Sequence, residues 1–459
     1  MERPLVGILP LCALSAVVGA CSGQIVAPAP VGRANQEGSA GSPAGMVGGE
    51  KPGAGMDRLP PPAAGVGQGS ACSTGKPGPR LLRRLTAAQL TATLRDLFHA
   101  DAGLPAVTVF SDPSVLGFSS DAHALLVQGL NAQQLADNAE SVAHWAVTRQ
   151  LGRLSPCMTN DAPCRQQFVR AFGRRAFREP LSDERARAYE ALPAAESSFA
   201  EGAEVVITAM LQSPYFLYRR ELGGGGAGDL VKLTPHEVAS SLSYLLTGSM
   251  PDDQLLTAAD NGQLASAEQI EQHAQRLLQG PRALDAVMDF FTGWLGLDRL
   301  ERVVKDDTVF KLSPSLKSAM AGETRAYLVD AFTRNATVAD LFAAPHSFLN
   351  QELAQFYGVY PRDGTQLPAG TFTRVTYPSD ARRDPGLLAH GGILTGNADA
   401  AISSPVLRGK LVRTRLLCQE LPPPPADVDT KLKPSAAAKT TREHFAQHAK
   451  DPACASCHR

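Results

Sequence analysis

The stretch LTAAQLTATLRDLF, residues 85–98, contains a complete set of signals for an amphipathic α-helix. Residues 86–89 (TAAQ) are typical of a capping box, in which the Thr hydroxyl accepts from the Gln backbone N–H and the Gln side chain reaches back. Leu85 precedes this box at the position that packs against Leu90. Apolar residues then recur at 90, 94, 97 and 98, which is the spacing of one helix face. The stretch therefore predicts a helix with one buried side.

The same signals return along the chain. Residues 234–237 (TPHE) and 266–269 (SAEQ) each precede an apolar periodic run, and Ser313-Pro314 is typical of a further helix start. Strand signals are scarce: only residues 371–377 (TFTRVTY) alternate, and we expect them to form an edge hairpin or an extended loop. The sequence predicts a mainly α, multi-domain helical protein with few short strands.

Composition divides the chain into consecutive segments. Residues 22–79 are rich in Gly, Pro, Ala and Ser, and they cannot bury enough apolar surface to offset chain entropy, so we expect a disordered tether. The predicted segments are a signal peptide at 1–20, the tether at 21–79, helical regions at 80–150, 155–222 and 232–360, and a C-terminal segment at 380–459.

The N-terminus predicts export. Arg3 is followed by an apolar run from Leu5 to Val18 that is too short to span a bilayer comfortably. Residues 18–21 (VGAC) resemble the bacterial lipobox, in which Cys21 becomes the lipidated first residue of the mature protein. Ser22 favours the outer membrane, so we expect an outer-membrane lipoprotein, or a protein of the periplasm or cell surface, attached through a lipid anchor. The alternative is an ordinary signal peptide with an incidental cysteine.

The charge and hydropathy give no support for nucleic-acid binding or for a membrane-spanning helix in the interior of the chain. The formal net charge of −1 gives no reason to expect nucleic acid. No interior stretch approaches the roughly 20 consecutive apolar residues that a membrane-spanning helix needs.

The strongest chemical motif is residues 454–458, CASCH. Cys-x-x-Cys-His is the attachment signature of c-type haem, in which Cys454 and Cys457 form the thioethers and His458 binds the iron. His448 is the nearby candidate for a second axial ligand. The alternatives are a redox dithiol, a structural disulfide, a zinc site completed by His444 and His448, or no special chemistry.

Other cysteines belong to an oxidising compartment once the chain is exported. Cys157 and Cys164 flank a short polar segment before a helix expected to begin near Arg165, and we expect them to form a local disulfide. Cys72 and Cys418 are then left as a pair by elimination.

Weaker motifs have plain structural explanations. Residues 223–228 formally match G-x-G-x-x-G, but they follow an expected helix, so a linker is the better interpretation. Residues 390–392 (HGG) resemble a lipase oxyanion loop, but the chain has no G-x-S-x-G elbow. The pair Asp306-Asp307 and the carboxylates of Glu323 and Asp330 are interpreted as solvated helix charges; the alternative is a role in acid–base chemistry.

Four basic residues between 408 and 415 form another group with two interpretations. They are expected to be a solvated basic face; the alternative is that Arg408 or Arg413 pairs with haem propionates.

Several segments together resemble one known architecture. They are PRLLRRLTAAQLTATLRDLF, CRQQFVRAFGRRAFREPLSDE, LQSPYFLYRREL, LTPHEVASSLSYLLTGSMPDDQL, GLLAHGGILTGNADAAISSPVLRGKLVRTRLLCQELPPPPADV and TTREHFAQHAKDPACASCH. The chain resembles planctomycete and myxobacterial envelope lipoproteins built from serial domains of unknown function, families fifteen-eighty-seven, fifteen-ninety-five, fifteen-ninety-two and fifteen-eighty-eight. The resemblance covers residue 80 to the end and implies association with cytochrome c, but no established activity.

Relatives of this kind continue past the motif with an Asp-Pro-hydrophobic-Gly-Phe segment and one further domain, family fifteen-eighty-five. This chain stops at Arg459, so we expect a C-terminally truncated version of the architecture.

The leading hypothesis is a lipid-anchored, haem-c-linked protein with an electron-transfer or redox role and a redox partner protein. One alternative is a non-enzymatic surface scaffold or binding protein whose C-terminal cysteines are structural. The other is an envelope oxidoreductase that acts with a partner, so the sequence leaves open whether the protein is an enzyme.

Overall fold

The structure is a computed structural model, and it describes residues 80–100, 103–108, 111–224, 231–361, 363–377, 386–421 and 440–450. The predicted signal peptide and tether lie outside these residues. Within them, α-helices predominate and strands form only two two-stranded sheets, which confirms the predicted fold class. None of the described helices is both long enough and apolar enough to cross a membrane.

The first region follows the predicted capping box. The Gln89 backbone N–H donates to Thr86 Oγ1 and the Thr86 N–H donates to Gln89 Oε1, each over 3.2 Å. Leu90, Leu94 and Phe98 are buried on the predicted face. The elements of this region are β1 (Leu81–Arg84), α1 (Ala87–Leu97), α2 (Gly129–Arg149) and α3 (Leu151–Leu154).

The first helix of the second region begins earlier than predicted. Its first helix starts at Ala162, not near Arg165, because the Asp161 carboxylate accepts from the Cys164 backbone N–H over 2.8 Å and caps the helix. Cys157 and Cys164 lie at disulfide distance, with their Sγ atoms 2.10 Å apart. The elements are α4 (Ala162–Phe177), α5 (Asp183–Ala191), a 3₁₀ turn (Leu192–Ala195), α6 (Phe199–Gln212), α7 (Pro214–Leu217) and β2 (Tyr218–Glu221).

The residues before the glycine run differ from the prediction. The expected continuous helix ends at Gln212, because Ser213 and Pro214 start the short α7, and the chain then forms β2. Strand β2 pairs antiparallel with β1, with Leu81 opposite Glu221. A dinucleotide fold needs a parallel βαβ unit, and the described strands form only antiparallel pairs. The described part of the run, Gly223 and Gly224, connects two regions, as a linker would.

One apolar core serves both regions. The rings of Phe98 and Phe168 each lie 5.7 Å from that of Phe172, which joins α1 to α4. This core extends to the next region through Tyr244, whose hydroxyl lies 2.8 Å from the buried Thr93 hydroxyl. The regions are therefore packed on one another as well as connected in sequence.

The third region contains the longest helical series. Both predicted capping boxes, at Thr234 with Glu237 and at Ser266 with Gln269, are confirmed. The elements are α8 (Pro235–Thr247), α9 (Asp253–Asp260), α10 (Ala267–Leu278), α11 (Pro281–Leu295), α12 (Arg299–Arg302), α13 (Pro314–Thr333), α14 (Val338–Ala343), β3 (His346–Leu349), α15 (Gln351–Tyr357) and β4 (Thr373–Thr376).

The predicted strand signal at 371–377 is correct, but the expected edge hairpin is wrong. Strand β4 pairs with β3, with Leu349 opposite Thr373, and helix α15 lies between them in sequence. The partner strand is a buried HSFL segment without polar alternation, so periodicity did not reveal it.

The C-terminal segment packs on the third region. Its described elements are a 3₁₀ turn (Leu387–Ala389), α16 (Gly391–Gly396), α17 (Pro405–Leu411), a π-helical turn (Val412–Leu416) and α18 (Thr441–Lys450). Leu387, Ile393 and Leu411 share an apolar core with Tyr327 and Leu328 of α13. The Trp294 indole N–H donates to the carbonyl of Arg415 over 2.6 Å.

We predict that Thr86→Ala lowers the free energy of unfolding by about 1 kcal/mol, because the N-cap hydroxyl of α1 is lost. The change would be measured by urea denaturation. Thr148→Ala is the matched control, since this exposed hydroxyl donates only to the His144 carbonyl of its own helix. An equal effect of both variants would contradict the importance assigned to the cap.

Candidate functional site

The predicted haem residues Cys454, Cys457 and His458 lie outside the described residues, as does Cys21. The backbone of His448 belongs to α18, and its side chain lies outside the description. Among the described residues no group of three or more His, Cys, Asp or Glu side chains is arranged to hold a metal ion. The described residues do include helix α18, which precedes the motif, and the contacts that hold the start of this helix.

Helix α18 leads directly to the motif. Thr440 and Glu443 cap its start, because the Glu443 N–H donates to Thr440 Oγ1 over 3.2 Å and the Thr440 N–H donates to Glu443 Oε2 over 3.3 Å. The Ser403 hydroxyl donates to Thr441 Oγ1 over 3.4 Å. The beginning of α18 therefore lies against the loop that precedes α17.

That loop, residues 397–403, is bound to the third region. Lys305 Nζ donates to the carbonyls of residues 398 and 399, both over 2.8 Å, and the Asp306 N–H donates to the carbonyl of residue 400 over 3.1 Å. The Arg299 guanidinium donates to Asn397 Oδ1 over 2.7 Å. Burial lowers the pKa of Lys305. These bonds hold the base of α18 on the body of the molecule.

A buried polar network lies between the third region and the C-terminal segment. Glu323 of α13 has no exposed surface; it accepts from the Ser347 hydroxyl over 2.7 Å and from the Tyr357 hydroxyl over 2.6 Å. His390, before α16, is 1% exposed, and its Nε2 lies 3.3 Å from Ser347 Oγ. A buried carboxylate is costly unless it accepts hydrogen bonds. Two hydroxyl donors meet that requirement here.

The remaining neighbours fix the imidazole and the start of α16. Nδ1 of His390 lies 3.2 Å from Thr324 Oγ1, and the Tyr327 ring packs edge-on at 4.8 Å between centroids. The Gly391 backbone N–H donates to the Tyr357 hydroxyl over 3.0 Å. Burial raises the pKa of Tyr327 to about 12, so this phenol stays protonated at neutral pH.

The glycines of the HGG motif allow this close packing. A Cβ at Gly391 would lie 2.3 Å from Tyr357 Oη, which is closer than atoms can approach. At Gly392 it would lie 3.1 Å from the Leu300 side chain and 3.3 Å from the Met320 carbonyl. The motif therefore serves to bring α16 against α13, and an oxyanion function is not needed to explain it.

The network contains the residue types of a hydrolytic triad, but the hydrogen bonds described between those residues connect them differently. In a triad the carboxylate orients the imidazole, which bonds to the nucleophile. Here Glu323 accepts from the Ser347 hydroxyl, and all the groups are buried away from a substrate. The arrangement is suited to holding two parts of the chain together.

The interpretation of Glu323 as a solvated helix charge is wrong, because the residue is buried between α13, β3 and α15. Asp306 is solvent-exposed as expected, but it lies in the loop between α12 and α13, where it accepts from the Thr308 hydroxyl. Asp330 is partly exposed and pairs with Arg334. Periodicity gave no signal for Ser347 or Tyr357; the HGG motif was the only marker of the network in the sequence.

The basic group at 408–415 and Cys418 lie among the described residues. Arg408 is half-buried in α17, while the exposed Arg413 donates to Gln419 Oε1 over 2.8 Å. Cys418 is exposed. Its suggested partner Cys72 lies outside the described residues, so that pairing stays a prediction.

We predict that Gly391→Ala lowers the free energy of unfolding by about 1–3 kcal/mol, because the new Cβ overpacks the contact with Tyr357. Gly409→Ala is the matched control: its Cβ meets nothing within 4 Å on α17, so we expect a neutral or slightly stabilising change. Urea denaturation of both variants tests this. Equal midpoints would show that α16 does not need a glycine here.

Comparison with known proteins identifies four consecutive domains. Family models of proteins of unknown function match residues 83–148 (PSD3, DUF1587), 164–221 (PSD5, DUF1595), 233–359 (PSD4, DUF1592) and 384–459 (PSCyt3, DUF1588). No curated protein and no solved structure matches the chain.

These ranges place the buried network between two domains. Glu323, Ser347 and Tyr357 lie in the DUF1592 range, and His390 lies in the DUF1588 range, which also contains the CASCH motif. The chain therefore contains, in series, ranges that match the DUF1587, DUF1595, DUF1592 and DUF1588 families of proteins of unknown function.

Proposed function

We propose that the protein is a lipid-anchored envelope protein that carries a covalent c-type haem on its C-terminal segment and passes electrons to or from a partner protein. The observation that supports this most directly is the motif CASCH at 454–458 within the range of PSCyt3, a domain named for cytochrome c association. The motif lies inside the matched range, and the motif and the domain name indicate the same cofactor.

The donor set fits haem chemistry. Two thiols three positions apart can each bond to one vinyl group, and the adjacent His458 imidazole is a common iron ligand. When bound, a haem supplies a one-electron redox couple. Cys454 and Cys457 would hold the haem covalently, and His458 and His448 would bind its iron.

The described residues would hold this segment in place. The bonds of Lys305 and Arg299 fix the loop before α17, and the bond from Ser403 fixes the start of α18. Helix α18 ends at Lys450, four residues before Cys454. A redox group presented from a fixed base needs less reorganisation when a partner docks.

We predict that the full chain, expressed with haem-maturation machinery, contains covalent haem and that Cys457→Ser prevents its two-thioether attachment. Covalent haem would be measured by the Soret band after denaturation and by haem staining of the resolved chain. Cys418→Ser is the matched control, because this exposed thiol lies outside the motif and its loss should leave the haem content unchanged.

A folded, colourless wild-type chain would contradict the haem proposal. It would favour the non-enzymatic scaffold, in which the two C-terminal cysteines are structural. Identical pyridine haemochrome spectra of the wild type and Cys457→Ser would exclude the proposed two-thioether attachment, because the band position depends on the number of thioether bonds. Folding of each variant is checked by its circular dichroism.

The proposed anchor is tested separately. We predict that Cys21→Ser abolishes acylation and shifts the chain out of the detergent-extracted outer-membrane fraction, since each buried CH₂ of an acyl chain contributes roughly 0.8 kcal/mol to membrane binding. Cys72→Ser, in the same N-terminal stretch, should leave both unchanged. Retention of an acylated chain after Cys21→Ser would exclude this lipidation site.

A further inference from the structure

A cleft of about 420 Å³ opens between the first and third regions, distant in sequence from the proposed haem motif. Its walls come from the last turns of α1, the loop that follows α1, and Arg282 in the first turn of α11. This volume lies within the range of small-molecule sites, roughly 300–1,000 Å³. The cleft is therefore large enough for a compact organic ligand.

One wall of the cleft carries positive charge. The Asp96 carboxylate is already occupied: it pairs with the Arg282 guanidinium and accepts from the Ser249 hydroxyl over 2.6 Å. The neighbouring Arg95 is exposed and forms no ion pair within the described part of the chain. Asp96 also interacts with Arg175, and Asp285 interacts with Arg282, whereas Arg95 has no ion-pair partner among the described residues.

The plain explanation for Arg95 is a cation at the C-terminus of α1, where it interacts favourably with the helix dipole. That explains its place on the helix, but it does not explain why two guanidinium groups line a concave surface. Arg is the side chain best suited to bind a carboxylate through two parallel hydrogen bonds.

Another part of the cleft lining is apolar. Ala100 is buried, and the side chains of Leu104 and Val107 are half-buried against the main core while they line the cleft. Pro105 lies between them. This wall is fixed by packing on one side and faces the cleft on the other, so it offers a preformed apolar surface.

We propose that this cleft binds a small organic carboxylate, whose anionic group pairs with Arg95 and whose apolar part lies against Leu104 and Val107. Arg282 is paired with Asp96, so Arg95 supplies the positive charge for this contact. The proposal is independent of the haem motif, since none of these residues belongs to the C-terminal segment.

The test is isothermal titration of the purified full chain with benzoate, which has an anionic group and an apolar ring. We expect saturable 1:1 binding and a dissociation constant at least about tenfold higher for Arg95→Gln, because a charge-assisted hydrogen-bonded pair is lost. Arg95→Lys keeps the charge without the planar fork, so we expect an intermediate loss. Arg149→Gln, which removes an exposed guanidinium at the end of α2, should bind like the wild type.

Two further ligands test separately the need for the anionic group and the need for the apolar ring. Benzyl alcohol has the ring without the charge, and inorganic phosphate has charge without an apolar part; both should bind at least tenfold more weakly than benzoate. Absence of benzoate binding, equal binding by Arg95→Gln, or tighter binding of either probe would overturn the proposal. Circular dichroism of each variant verifies that the fold is intact.

Discussion

The buried carboxylate of Glu323 is the constraint on which the arrangement of the C-terminal half depends. A carboxylate removed from water is tolerated only where donors replace its hydration. Ser347 and Tyr357 supply hydroxyl donors from two other elements, and the Tyr357 oxygen also accepts from the first residue of α16. Satisfying one buried charge thus fixes α13, β3, α15 and α16 relative to one another. The platform for α18 is a consequence of that fixed contact.

A second set of polar ties unites the N-terminal half. Thr93 bonds to Tyr244 inside the core. Asp96 accepts a hydrogen bond from Ser249 and pairs with Arg282, both of the third region. All three partners lie more than a hundred residues from α1. The DUF1587 and DUF1592 ranges therefore share polar contacts, and a disturbance in one is expected to reach the other. Such packing suits a protein that must hold one segment in a defined position.

The sequence predicts the local part of this structure well and the non-local part poorly. The caps at Thr86, Thr234 and Ser266 are confirmed because an N-cap and its partner lie three residues apart, so the signal is contained in a short window. The partner of β4 and the hydrogen-bond partners of Glu323 were missed because they lie 24 or more positions away. The helical spacing of the apolar residues of α13 does place Glu323 on the buried face, but the sequence interpretation did not use that signal. The haem site itself remains a prediction from its five-residue motif.

The most direct measurement of the central claim is mass spectrometry of the C-terminal peptide from protein purified out of its native envelope. The account predicts that the peptide containing residues 454–458 carries one haem. The haem is joined to both cysteines by thioether bonds, so it stays attached under reducing conditions. A peptide with free thiols or an internal disulfide, and no added porphyrin mass, would contradict the electron-transfer account. The anchored helical body would then have to be explained as a scaffold.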